Sequence, residues 1–169
     1  MALEFRAPWS ASLKTASSIA VVLLLGIAVT GIWLLPARAP LLRTFMAVLP
    51  AGIAALALLF MVSSYKLTVT MLEIRRPFWT TTIELSDLVA VAGDAEALRG
   101  ALRVFGNGGL FSFTGVFWKR GIGLFHAYAT DPGRAVVLKF KKRTVIITPD
   151  DPLRFIVRVR TDLASRAQP

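Results

Sequence analysis

Two apolar segments, residues 15–35 and 44–62, follow one another across a short connection, and neither contains a charged side chain. Each is about as long as the roughly 20 helical residues that cross a hydrocarbon layer. The pattern predicts a membrane α-helical hairpin. Residues 1–14 form a cytoplasmic N-terminus, 15–35 the first transmembrane helix, 36–43 a short external loop and 44–62 the second transmembrane helix. Pro36 and Pro40 close one helix and open the next, because proline lacks an amide donor but fits a first helical turn.

Ala37-Arg38-Ala39 matches the small-x-small rule for signal-peptide cleavage. The apolar stretch is longer than a signal core, Pro40 would sit at the scissile point, and a second span follows at once, so the segment reads as a retained anchor. Arg6 and Lys14 precede the first span, while Lys66, Arg75 and Arg76 follow the second. That distribution favours both termini in the cytoplasm of a bacterial inner membrane, against the opposing bias of Arg38 and Arg43 in the loop. Ser18, Gly26 and Thr30 on the first span, and Ala47, Ala51 and Ala55 on the second, offer ridges along which helices could approach closely in lipid; ordinary alanine-rich composition explains them equally.

The remainder, 63–163 with a frayed tail over 164–169, is enough for one modest core and too little for two. With no cysteine anywhere, disulfides, thiolate catalysis and the usual structural zinc sites are excluded. The formal charge of +10 arises mostly after Ser63, which suits a surface of anionic lipid but equally any positive-inside domain.

Beyond the spans the apolar pattern shortens to alternating segments. Residues 66–74 read as a strand, Arg75-Arg76-Pro77 as a turn and 78–85 as a second strand. The stretch 94–102 is either one helical segment or a loop with a single helical turn. Strands are expected at 102–105, 110–118, 124–130, 135–140 and 144–148, joined as successive antiparallel hairpins with turns at Asn107-Gly108-Gly109, Lys119-Arg120-Gly121, Asp131-Pro132-Gly133 and Lys141-Lys142-Arg143. Asp151 caps a closing helix that starts at Pro152, with Leu153, Ile156, Val159 or Arg160, and Leu163 on one face.

Three blocks resemble the bacterial pleckstrin-homology-like (PH) domain family: the run 103–115 with its Phe105-Gly106-Asn107-Gly108-Gly109-Leu110-Phe111 string, the run 125–131, and the run 145–152 with Phe155-Ile156. The resemblance implies a PH-like antiparallel barrel of two near-orthogonal sheets with a C-terminal capping helix, in a member anchored by two N-terminal transmembrane helices. It transfers no ligand.

Read physically, Gly106, Gly108, Gly109 and Gly115 allow backbone geometry closed to other residues, while Phe105, Leu110, Phe111, Phe113, Phe117 and Trp118 supply bulk for a small core. Together with Asp151 and Pro152 these glycines and Phe105 form a fold-determining motif. A phosphate-binding loop is a poor match, since no Gly-Lys-Ser/Thr ending follows.

Catalysis has little to stand on. His126 is the sole histidine and lies in a strand beside Tyr128, a structural setting, while Asp150 and Asp151 fall at a helix start where capping occupies at least one of them. No enzyme activity, catalytic residue, metal or cofactor is expected. Phe117-Trp118-Lys119-Arg120 interleaves aromatics with cations, but the core needs its aromatics, so nucleic acid is not the expected partner.

Binding is the better class. The expected function is noncatalytic protein interaction or assembly at the cytoplasmic membrane surface, with a protein partner or a second copy of the chain. The alternative is anionic lipid headgroup binding through the basic turns Arg75, Arg76, Lys139, Lys141, Lys142 and Arg143, which would equally keep strand edges soluble.

Overall fold

The computed structural model describes residues 2–36 and 38–167. Ala37 of the cleavage-like triplet and Gln168 and Pro169 of the expected tail lie outside the described residues.

Helices α1 (Ala11–Leu34) and α2 (Pro40–Leu59) pack against each other, and each is long and apolar enough to cross a membrane. Ser10 caps α1, its hydroxyl accepting from the Leu13 amide at 3.1 Å. Pro40 opens α2, and Arg43 donates to the Ile32 carbonyl at 2.7 Å, satisfying an acceptor left free in the last turn of α1. The small-residue ridges read from sequence are not the seam: Ser18, Gly26, Thr30, Ala51 and Ala55 are exposed, and only Ala47 is half-buried. The helices instead approach where Gly31 faces Met46, so closely that a β-carbon on Gly31 would collide with the methionine. Pro50 lies buried within α2, which continues through it.

The β domain contains ten strands among the described residues: β1 (Leu3–Arg6), β2 (Ser64–Leu67), β3 (Met71–Arg75), β4 (Thr80–Glu84), β5 (Leu88–Gly93), β6 (Leu102–Gly108), β7 (Phe113–Lys119), β8 (Gly123–Ala129), β9 (Val136–Phe140) and β10 (Thr144–Ile147). A four-stranded sheet runs β1-β2-β3-β4 and a six-stranded sheet runs β5-β9-β10-β8-β7-β6. Helix α3 (Pro152–Ala167) follows and packs on β5.

Several details correct the sequence reading. The two sheets share no ladder, so the barrel is not closed. The expected strand 66–74 is a hairpin, because the Thr68 hydroxyl accepts from the Met71 amide at 3.1 Å and turns the chain. Strand β5 was absent from the reading, since a bulge between Leu88 and Ala90 breaks the alternation that would have revealed it. The succession of antiparallel hairpins fails at one step: the β9–β10 hairpin folds back so that β10 lies parallel to β8. Residues 95–100 form turns and not a helix. On α3 the inward residues are Phe155, Ile156 and Val159, with Leu163 packed beside them, while Leu153 is exposed.

Strand β10 is buried along its whole length because both sides of the six-stranded sheet are covered. Val145 and Ile147 join the main core between the sheets and α3, while Ile146 on the opposite face joins Phe117, Phe125 and Ala97 beneath the 95–100 turns. Across the main core, Phe5 of β1 meets the edge of Phe155 of α3 at 5.2 Å.

A buried polar pin crosses the same space. The Tyr65 hydroxyl donates to the Tyr128 carbonyl at 2.6 Å and accepts from the Thr148 amide at 3.2 Å, linking β2 to the end of the other sheet. Burial pushes the Tyr65 phenol up to about 12.

Candidate functional site

The β6–β7 ladder that leads into the turn between them carries two facing glycines. Gly106 and Gly115 are register partners with φ of 111° and 139°, values that favour glycine. The Asn107 carboxamide oxygen accepts from the Leu110 amide at 3.0 Å and draws the chain into the turn that ends at Phe111, whose φ is 66°.

That turn is where the apolar helices are fastened to the β domain. The buried Ser17 of α1 accepts from the Phe111 amide at 2.9 Å and donates to the Gly109 carbonyl at 3.4 Å. Trp9, just before α1, lies against the Phe111 ring at 5.9 Å. At the other helix, the hydroxyls of Ser112 and Thr114 reach the Phe60 carbonyl just past α2, at 3.2 Å and 3.4 Å. These bonds satisfy a helix-end acceptor that would otherwise be stranded in an apolar setting.

Beside these fastenings a groove of about 560 Å³ opens between α2 and β6. Ile53, Leu56, Ala57 and Phe60 form one wall, Phe105 and Gly106 the other, and no carboxylate lines it. Two arginines do, Arg76 and Arg103. Arg76 sits in the β3–β4 turn, closed by its amide on the Trp79 carbonyl at 3.0 Å, and its guanidinium carbon lies 5.8, 5.4 and 5.3 Å from the ring centres of Phe60, Trp79 and Tyr128. The three rings hold the cation through their π faces. They offer it no acceptor in return: the Arg76 Nε is buried without a hydrogen-bond partner among the described residues. Burial lowers the Arg76 pKa from its ordinary value, partly offset by the Tyr128 phenol beside it.

A family model for the bacterial PH domain matches residues 63–163, from just before β2 into the last third of α3. The chain belongs to the bacterial PH domain family. No significant match was found among curated proteins or among solved structures. Strand β1 lies outside the matched span yet completes the four-stranded sheet of the PH domain through its ladder with β2.

Within this PH domain the basic residues read from sequence do not converge. Arg75 is engaged with Glu4 of β1 at 3.1 Å, and Arg76 alone turns to the groove. Lys139, Lys141, Lys142 and Arg143 lie around the β9–β10 turn, where Lys141 pairs with Asp87 at 3.5 Å and Arg143 stacks over Phe140 at 5.3 Å. Lys142 and Arg143 share a depression with Glu84 and Asp87, so their charge is partly balanced. Thr80 of β4 is registered with Arg75 and Glu84 with Met71, which puts the two basic turns at opposite ends of a strand roughly 13 Å long.

Of the aromatics expected to fill the core, Phe111 and Phe117 are buried and Phe113 is half-buried. Phe105, on the outer strand β6, is 77% exposed, and Trp118, on β7, is 43% exposed. Asp151 accepts from the Arg154 amide at 3.0 Å at the start of α3, and Asp150 accepts from the Asp151 amide at 3.1 Å. His126 is exposed on β8. Ser17, Ser112, Thr114 and Arg103 carried no local signal: what makes them matter is contact with helices distant in sequence.

Proposed function

We propose that this chain is a two-span protein of the bacterial inner membrane that holds its PH domain at the cytoplasmic face and acts without catalysis, through interaction and assembly. The observation that carries this reading is the outer surface of α1 and α2, where Val22, Leu25, Leu41 and Val48 among others stand exposed. In water such a surface would far exceed the few hundred Å² of contiguous apolar area that soluble monomers carry. Exposed Phe78 beside Trp79, and Phe105 at the mouth of the groove, cluster near the end of α2 as aromatics do at a membrane boundary. Lys14 in the first turn of α1, with Lys66, Arg75 and Arg76 beyond α2, supports the cytoplasmic side, against the opposing Arg38 and Arg43 at the connection.

The assembly reading draws on β6. It is one of the two edges of the six-stranded sheet, seven residues long, with Leu102, Val104 and Phe105 exposed, and such an edge can receive a strand from a second copy or another protein. The chain has no cysteine, so a single Val104→Cys substitution gives a clean probe. Crosslinking in intact membranes should trap one discrete adduct at Val104→Cys and none at Leu153→Cys on the outer face of α3; the same ladder of products at both positions would dismiss the edge as an assembly surface.

The second reading, binding of anionic lipid, is favoured by one observation: Arg76 is caged by three rings, lacks an acceptor and faces an apolar groove beside α2.

A further inference from the structure

We propose that the groove between α2 and β6 holds a single anionic phospholipid taken from the surrounding bilayer, with its phosphate on Arg76 and one acyl chain laid against α2. The proposal rests on the membrane reading above and names the ligand of that site.

Three features of the groove converge on this occupant. Its lining is almost wholly apolar apart from Arg76, Arg103, Asn107 and Thr114, and both cations lack a carboxylate partner among the described residues, so the complementary head is an anion. The aromatic cage fixes the Arg76 guanidinium in place before any ligand arrives, which reduces the ordering cost of binding. The groove is also continuous with a second apolar depression: Ile53 and Leu56 line both, and the second runs back along α2 through Gly52, Val48 and Phe45 to Leu41. From Leu59, at the end of α2, back to Leu49 the helix rises about 15 Å at 1.5 Å per residue, matching the roughly 15 Å depth of one leaflet of a 30 Å core. A chain lying there would have its head at the end of α2, where Arg76 stands. A soluble phosphate compound would leave this apolar track empty.

The β9–β10 turn, despite its four cations, has no part in the site. It lies at the far end of β4 from Arg76 and is tempered by Glu84 and Asp87.

The test is native mass spectrometry of the full chain released from mixed micelles holding equal phosphatidylglycerol and phosphatidylcholine. One phosphatidylglycerol should be retained in preference to phosphatidylcholine. Arg76→Gln should reduce that retention roughly tenfold, the loss expected for a charge-assisted contact. Ile53→Trp, which fills the groove from an exposed position on α2 and leaves the PH domain untouched, should also reduce it, while Lys139→Glu with Lys142→Glu should not. A phosphatidylglycerol with a photoreactive group at the middle of its acyl chain should label α2 in the wild-type chain and lose that label in Ile53→Trp. Equal retention of both lipids, retention unchanged by Arg76→Gln and Ile53→Trp together, or recovery of a bound peptide in place of lipid would each overturn the proposal. If the chain needs detergent yet holds no preferred lipid, this site fails alone; if it stays monodisperse in plain buffer, the membrane reading fails with it.

Discussion

Gly106 and Gly115 face each other across the β6–β7 ladder, and a β-carbon on either would strike the backbone of the other's strand: the Thr114 carbonyl oxygen for Gly106, the Phe105 carbonyl oxygen for Gly115. Both φ angles are positive as well, so a side chain there meets a collision and an unfavourable backbone at once. Gly106→Ala and Gly115→Ala are each expected to destabilise the PH domain by about 2–3 kcal/mol or more. Gly108→Ala, which meets only the flexible Arg103 side chain, should cost less than about 1 kcal/mol. Urea unfolding of the full chain in detergent separates the two cases.

Ser17 provides the second prediction. Its hydroxyl is the partner of the buried Phe111 amide, so Ser17→Ala leaves that donor unsatisfied, at a cost of about 1–3 kcal/mol. Because the bond joins α1 to the β6–β7 turn, the loss should loosen the junction more than the core. Hydrogen exchange at residues 109–112 is expected to accelerate while exchange in β10 stays slow.

Tyr65 supplies a pH dependence with a definite sign. The folded phenol keeps its proton to about pH 12, whereas the unfolded one releases it near the ordinary value of 10. The folded chain therefore binds more protons between those limits, and stability that is fully present below pH 10 declines as pH rises toward 12, by up to about 3 kcal/mol. Tyr65→Phe should remove this part of the alkaline decline. It should also lower stability at neutral pH by about 1–3 kcal/mol, because the buried Thr148 amide loses its acceptor. Unfolding midpoints of both chains from pH 8 to 12 decide the matter.

At the start of α3, Asp151→Ala should cost about 1 kcal/mol, since the carboxylate accepts the Arg154 amide at 3.0 Å, and Asp151→Ser should recover most of it. Arg75→Gln, by contrast, breaks only an exposed ion pair with Glu4 and should change the thermal midpoint by little, at most the equivalent of about 1 kcal/mol. Thermal scans of the three variants under one condition make the comparison.

How much of this was legible in the sequence depends on how local each feature is. The paired apolar segments, the Asp151-Pro152 helix start and the glycine-rich string announce themselves within a few residues, and each corresponds to an element of the fold. Strand β5 was hidden because its bulge destroys the two-residue period, and on α3 the expected face held at Ile156, Val159 and Leu163 but not at Leu153, because Phe155 takes the place against Phe5. The groove was beyond local reading altogether. Arg76 looks in sequence like half of a solvated pair with Arg75, and only the approach of Phe60 and Tyr128 from distant parts of the chain separates the two in role. Exposure of Phe105 likewise depends on sheet order, which fixes β6 at an edge, and no property of the residue itself reveals that.

The ladder between β1 and β2 joins Leu3 to Leu67 and Arg6 to Ser64, so the residues of β1 wait for partners made some sixty positions later. Closing so long a loop carries an entropic cost that grows slowly with length and is met before the pairing rewards it. Strand β1 is thus one of the last segments to find its seat. A bulky fusion ahead of Leu3 would compete with that late arrival, whereas one appended after α3 would leave it alone.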